Sequence, residues 1–126
     1  MFSDRIEGKW IDEKLQKRAA RVGFDWPEVD QVLAKLTEEA AEVIEAKGRK
    51  DQAALEEEVG DLLFVVANLA RHLQVDPEVA LRAANAKFTR RFGAIEAALA
   101  RDGRKPQDST LEEMDRLWDA AKAAEK

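Results

Sequence analysis

The sequence predicts an all-α fold, a single helical bundle of four to five helices, and three observations carry the prediction. Of the 57 apolar residues among 126, 22 are alanine while valine and isoleucine together number 13, a balance that favours helix over strand. Apolar residues recur at three- and four-residue spacing through most of the chain. The three prolines and six glycines act mostly as punctuation between those periodic segments.

Helices are expected at about 5–22, 27–47, 51–73, 77–101 and 110–124. Gly23, Gly48 and Gly103 sit where helices stop, and Pro27 and Pro77 where they start. Asp76-Pro77 reads as an N-cap followed by a first helical residue. Thr110-x-x-Glu113 reads as a capping box. The connections are short except for the polar stretch 102–109. No repeat, low-complexity tract or linker divides the chain, so residues 1–126 are expected to form one domain.

Composition removes several functional classes. Zero cysteine excludes disulfides, iron–sulfur ligation and thiol catalysis, and suits a reducing, cytoplasmic setting. One histidine, His72, excludes a His-rich zinc site within one chain. No apolar run reaches the roughly 18 residues of a membrane span, and residues 1–20 are too charged for a signal peptide. With 21 basic and 26 acidic residues, a net charge of −5 disfavours a nucleic-acid partner. Any chemistry is therefore expected to rest on carboxylates.

The helical phase of those carboxylates is informative. On the second helix Val29, Val32, Leu33, Leu36, Ala40, Val43 and Ile44 form an apolar stripe. Glu39 borders it, Glu42 lies about 60° further round, and Glu38 lies beyond Glu42. On the third helix the stripe is Leu55, Val59, Leu62, Leu63, Val66, Leu69 and Leu73. Glu58 falls inside that arc and Asp61 at its edge. A carboxylate turned toward a core must be neutralised, paired or metal-bound.

Two helices each offering acids at i and i+3 toward one interior would make a four-carboxylate cage suited to Mg²⁺ or Mn²⁺. The plainer alternative is a solvated face on which Lys35 pairs with Glu38, Glu39 or Glu42; Glu58 resists it. Gly60, between Glu58 and Asp61, is expected to let a neighbouring helix or a ligand approach closely, or to serve packing.

On the fourth helix Leu81, Ala84, Phe88, Phe92, Ile95 and Leu99 form the stripe, with Asn85 inside its arc. Lys87 and Arg91 share one flank and can reach one anion, or make an ordinary basic face. His72 reads as packed or solvated rather than as a ligand. Trp26, before Pro27, reads as a hydrophobic staple. Trp10 and Trp118 sit on terminal helices, and Trp118 with Lys122 either stacks on a base and touches a phosphate or anchors the last helix.

Taken together, Gly23-Phe24-Asp25-Trp26-Pro27, Glu38-Glu39-x-x-Glu42 and Glu58-x-Gly60-Asp61 resemble the MazG-type nucleoside triphosphate pyrophosphohydrolases. The runs Asn68-Leu69-Ala70-Arg71-His72-Leu73 and Asn85-x-Lys87-Phe88-x-Arg90-Arg91-Phe92 continue the likeness, as does Leu117-Trp118. It covers about residues 14–124 and is to the C-terminal copy of tandem forms, so the chain is expected to be a fragment or a short form.

The resemblance implies an all-α, usually dimeric enzyme that splits nucleoside triphosphates into monophosphate and pyrophosphate with Mg²⁺, for which Mn²⁺ can substitute. Glu39, Glu42, Glu58 and Asp61 would then be metal ligands and Glu38 an accessory acid that orients or deprotonates water. Lys87 and Arg91 would contact phosphate, and Trp118 and Lys122 the nucleotide. Other readings are a dUTP/dCTP or phosphoribosyl-ATP hydrolase of the same fold, or a helical dimerisation or regulatory module.

Overall fold

The computed structural model describes residues 13–125, and these contain α-helices, one short 3₁₀ turn and no strand. The helices are α1 Glu13–Arg21, α2 Val29–Arg49, α3 Gln52–His72, α4 Pro77–Ala100 and α5 Leu111–Ala124, with the 3₁₀ turn at Pro106–Asp108. All five expected helices are present; the expected start of the first, residues 5–12, and Trp10 lie outside the described residues. The chain divides into two compact units between Ala80 and Leu81.

The caps follow local chemistry. After α1, Gly23 takes φ +92, the Gly23 N–H bonds the Ala20 carbonyl at 3.0 Å, and the Phe24 N–H bonds that of Ala19 at 3.0 Å. Glycine suits this left-handed C′ position because it carries no Cβ. Gly103 closes α4 in the same way at φ +70. Asp76 caps α4 by accepting from Glu78 N–H at 2.9 Å, as its place before Pro77 implies. Thr110 Oγ1 accepts from Glu113 N–H at 3.1 Å. The return half of the expected box is replaced, because the Glu113 carboxylate takes Arg104 and Ser109 instead.

Two boundaries differ from expectation. The second helix begins at Val29, with the Glu28 N–H donating to Gln31 Oε1 at 3.3 Å, so Pro27 precedes it. Its end is Arg49 rather than the turn at Gly48. Glycine weakens a helix interior by about 1 kcal/mol but does not force a stop. The break comes at Lys50, which adopts φ 54, followed by Asp51 capping α3 through Ala54 N–H at 3.2 Å.

In the first unit this short connection makes α2 and α3 a helical hairpin, and α1 also packs on α3. The seam on α2 runs through Val32, Leu36, Glu39, Val43 and Ala46, all buried or half-buried; on α3 it runs through Leu55, Glu58, Leu62, Val65, Asn68 and Leu69. This corrects the expected stripes: Leu33, Ala40 and Ile44 on α2, Val59, Leu63 and Val66 on α3, and Leu73 just past its end, are exposed. Each helix carries more apolar residues than one partner can cover, so the apolar centroid and the packed seam differ in phase. No described helix is long and apolar enough to cross a membrane.

In the second unit Ile95 and Leu99 are buried, Phe92 is half-buried, and Leu81, Ala84, Asn85 and Phe88 are exposed, so the expected stripe is covered only toward its C-terminal half. Trp118 packs its ring 5.6 Å from Phe88 and 5.3 Å beneath the Arg91 guanidinium. Arg104 bonds both Glu113 oxygens, at 2.6 and 2.8 Å, and so fixes the turn before α5.

Candidate functional site

The seam of the α2–α3 hairpin carries acids where a structural interface would carry aliphatic side chains. Glu39, on α2, is 7% exposed, and Glu58 and Asp61 stand one turn apart on α3, half-buried and exposed respectively. One oxygen from each of the three lies within 4.8 Å of the others. Three hard oxygen donors so placed match a divalent cation such as Mg²⁺ or Mn²⁺ and offer nothing to a soft metal.

The electrostatics agree with that geometry. Partial burial pushes the Glu58 carboxyl above its ordinary pKa, and the charges of Glu42, Asp61, Glu39 and Glu57 push it the same way. A carboxylate whose neighbours oppose its charge is stabilised by an added cation. Lys35 stands beside the cluster, with Nζ 3.0 Å from both Glu38 and Glu39. These two acids hold the Lys35 ammonium above its ordinary value. The pairing weighed against the cage thus exists, yet it reaches Glu39 without reaching Glu58.

Glu42 is exposed and is not one of the three close acids, although its charge acts on Glu58. Glu38 is exposed and paired with Lys35. A Cβ added at Gly60 would meet no atom within 4 Å, so no described helix makes the close approach, and the space beside Gly60 is open.

The basic residues belong to the second unit and are partly occupied. Arg91 donates to Glu125 Oε1 through Nη2 at 2.9 Å and Nε at 3.1 Å, and Arg90 holds Oε2 at 3.0 Å. These two arginines pull the Glu125 carboxyl down to about 2. Lys87 and Lys122 are exposed, and the half-buried Trp118 ring contacts Phe88 and Arg91.

The structure adds residues to which the sequence gave no role. Asp25 Oδ1 accepts from Arg71 Nη2 at 2.6 Å, from His72 Nε2 at 2.9 Å and from the Trp26 N–H at 2.8 Å. The Arg71 hydrogen bond is the main reason its pKa falls to about 2, with His72 adding to it. This clamp ties the segment after α1 to the end of α3, and it makes His72 a packed residue. Trp26 is half-buried and lines a cavity with Phe24, Phe64, Gln16 and Asn68. Asp25, Asn68 and Arg71 all fall in runs that carried the resemblance; nothing in the pattern singled out Gln16.

With this geometry in place, comparison with known proteins is direct. The family model described as MazG nucleotide pyrophosphohydrolase domain matches residues 28–93, which include all three clustered acids. The chain is 44% identical over 112 residues to a nucleoside triphosphate pyrophosphohydrolase/pyrophosphatase MazG of Thermotoga maritima, covering 89% of this chain and 43% of that protein. It is 48% identical over 115 residues to a nucleoside triphosphate pyrophosphohydrolase of Escherichia coli K12, covering 90% of this chain and 44% of that one. A third relative, the uncharacterized protein YabN of Bacillus subtilis, is 44% identical over 72 residues, 57% of this chain and 15% of its own length. The chain thus spans less than half the length of these curated relatives.

Proposed function

This chain belongs to the MazG nucleotide pyrophosphohydrolase domain family, and from that premise we propose that it hydrolyses nucleoside triphosphates to monophosphate and pyrophosphate with Mg²⁺. The observation that carries the reading is the Glu39–Glu58–Asp61 cluster, three carboxylates within 4.8 Å on a seam where Lys35 pairs with Glu39 while the neighbouring acids push the Glu58 carboxyl up. The Thermotoga and Escherichia relatives, named as nucleoside triphosphate pyrophosphohydrolases, suggest the substrate class.

Glu39, Glu58 and Asp61 are the ligands the cluster offers, and Glu42 joins them on the resemblance. A bound Mg²⁺ supplies Lewis acidity toward phosphate oxygens and a water of lowered pKa. In the proposed reaction water attacks the α-phosphorus, a new P–O bond forms, and the bond to the bridging oxygen breaks to release pyrophosphate. Glu38 takes the proton from that water or orients it. Lys35 positions both Glu38 and Glu39, holding each at 3.0 Å. Lys87 and Arg91 as phosphate contacts, and Trp118 and Lys122 as nucleotide contacts, rest on the resemblance.

A homodimer belongs to the same proposal. Ile44 is 71% exposed and Leu63 57% exposed, and with Leu33, Val59 and Val66 they leave the first unit with large apolar side chains unburied. Such surface commonly marks an interface. Zero cysteine suits the cytoplasm, where the proposal places the chain. The deciding experiment is a panel of nucleoside triphosphates with Mg²⁺, with monophosphate and pyrophosphate both quantified. Equimolar products support the reading; orthophosphate or no turnover across the panel overturns it.

A further inference from the structure

We propose that Glu125 is a positioning residue: its carboxylate sets the Arg91 guanidinium in the orientation that receives the substrate's phosphates. The inference rests on the pyrophosphohydrolase reading, which gives Arg91 to phosphate but names nothing that holds it there. The residues involved all lie in the second unit, on α4, on α5 and at the C-cap of α5. Glu125 Oε1 accepts from Arg91 Nη2 at 2.9 Å and from its Nε at 3.1 Å, so one edge of the guanidinium lies against it. Arg90 Nε donates to Oε2 at 3.0 Å and holds the carboxylate from its other side. The Trp118 ring, with its centroid 5.3 Å from the guanidinium carbon, supports the same group from its face.

The place of this acid calls for a tertiary reason. Glu125 caps the C-terminus of α5, where the helix dipole presents its negative end and disfavours a carboxylate. The hydrogen bonds from Arg91 and then Arg90 more than offset that, drawing the carboxyl down to about 2, so it stays ionised at any working pH. Arg91 is the more enclosed of the two, its side chain 11% exposed against 59% for Arg90. The outer pair alone would join the helices; the inner pair gives a guanidinium a defined direction.

The contact leaves donors over. A guanidinium carries five N–H groups in a rigid fork, and Glu125 takes only those of Nε and one of Nη2 from Arg91. Among the described residues Gln16 Oε1 is the buried side-chain atom without a partner; Arg91 Nη1, which makes none of these bonds, therefore reaches solvent. One carboxylate serves two arginines, so the contact orients positive charge without cancelling it. Lys87, one turn before Arg91 on the same flank, is exposed and adds to the surplus. A cation fixed in direction, with free donors and uncancelled charge, is preorganised for an anion of several oxygens.

Charge and geometry predict opposite signs. Removing an acid beside an anion site tightens anion binding if only charge matters, whereas removing a positioning acid loosens it. Calorimetric titration of the metal-free protein with inorganic pyrophosphate reads the arginine apart from the metal-binding acids. Glu125→Ala should weaken pyrophosphate about tenfold, with the isosteric Glu125→Gln between it and the unaltered chain. The stoichiometry of each titration reports the folded fraction, so a variant that only loses its fold lowers it and leaves the affinity alone. With Mg²⁺ and a hydrolysed triphosphate, Glu125→Ala should raise KM by a similar factor and change kcat little. Added to Arg91→Ala, it should cost nothing further in kcat/KM, because it acts through that guanidinium. No binding to the unaltered chain, tighter or unchanged binding in the variants, or losses that add to those of Arg91→Ala each overturn the proposal. Turnover with a KM untouched by Glu125→Ala removes the positioning role and keeps the enzyme; Glu125-dependent pyrophosphate binding without turnover does the reverse.

Discussion

Two groups of glutamates in this chain meet opposite surroundings. In the second unit Glu113 takes both guanidinium nitrogens of Arg104 and the Ser109 hydroxyl, and Glu125 takes Arg90 and Arg91. Both carboxyls are drawn down to about 2, chiefly by those arginine hydrogen bonds. In the first unit Glu58 faces Glu39, Glu42, Glu57 and Asp61, and its carboxyl moves up. The same side chain is saturated in one place and left crowded in the other. Saturated acids hold turns and helix ends; crowded ones hold a position that a proton or an added cation would relieve, an arrangement that clusters at functional sites.

The largest expected effect breaks the crowded group. Glu58→Gln or Asp61→Asn should cut hydrolysis by more than the ten- to hundredfold typical of residues one step removed from a metal. The same Glu58→Gln should raise the melting temperature of the metal-free protein at pH 7. Its sign follows from linkage: an acid whose folded pKa is raised destabilises the fold once pH exceeds the unfolded value, and stability recovers as pH falls. Full turnover in either variant removes the site; a lower melting temperature for Glu58→Gln would show that the charge is structurally satisfied.

Mg²⁺ sharpens the same contrast. At a hundred times its dissociation constant a ligand specific to the folded state adds about 2.7 kcal/mol, so Mg²⁺ should raise the midpoint of the unaltered chain. In Glu58→Gln the shift should largely vanish, while Glu113→Ala should keep it. An equal shift in all three proteins would mean that the ion acts elsewhere.

What the sequence disclosed depended on whether the signal was local. Helix existence and the caps at Asp76 and Thr110 were legible because each rests on residues within one turn. Glu58 was legible because an acid inside an apolar arc is anomalous whatever the partner. The Gly48 stop failed because Lys50 and Asp51 decided it. The buried faces failed for a longer-range reason: α3 shows more apolar residues than its hairpin partner covers, and the seam passes through Glu58 and Asn68 instead of Val59 and Leu63. Gln16 was invisible, since only the fold shows its Oε1 buried without a partner among the described residues.

The second unit offers a milder break. Trp118 joins Phe88 and Arg91 by ring and cation contacts, so Trp118→Ala should cost about 2 kcal/mol, less than a fully buried tryptophan because the ring is half-exposed. Its Mg²⁺-dependent shift should match that of the unaltered chain, measured by the same melts. A raised KM beyond the loss of folded protein would add the nucleotide contact that the resemblance implies.

The smallest effect concerns Asp25, an acid of the first unit that behaves like those of the second. Arg71, His72 and the Trp26 N–H all converge on its Oδ1, and its carboxyl sits near 2 against an ordinary 3.8. A depressed folded pKa contributes stability that is present above the unfolded value and is lost as pH falls through about 2. Asp25→Asn should therefore cost about 1 kcal/mol at pH 7, discounted because the pair is partly solvated, and close to nothing near pH 2. Denaturant midpoints of both proteins across that range decide it. A difference that persists undiminished in acid would assign the clamp to hydrogen bonding independent of charge, and Asp25 would then share its residue type, but not its physics, with Glu113 and Glu125.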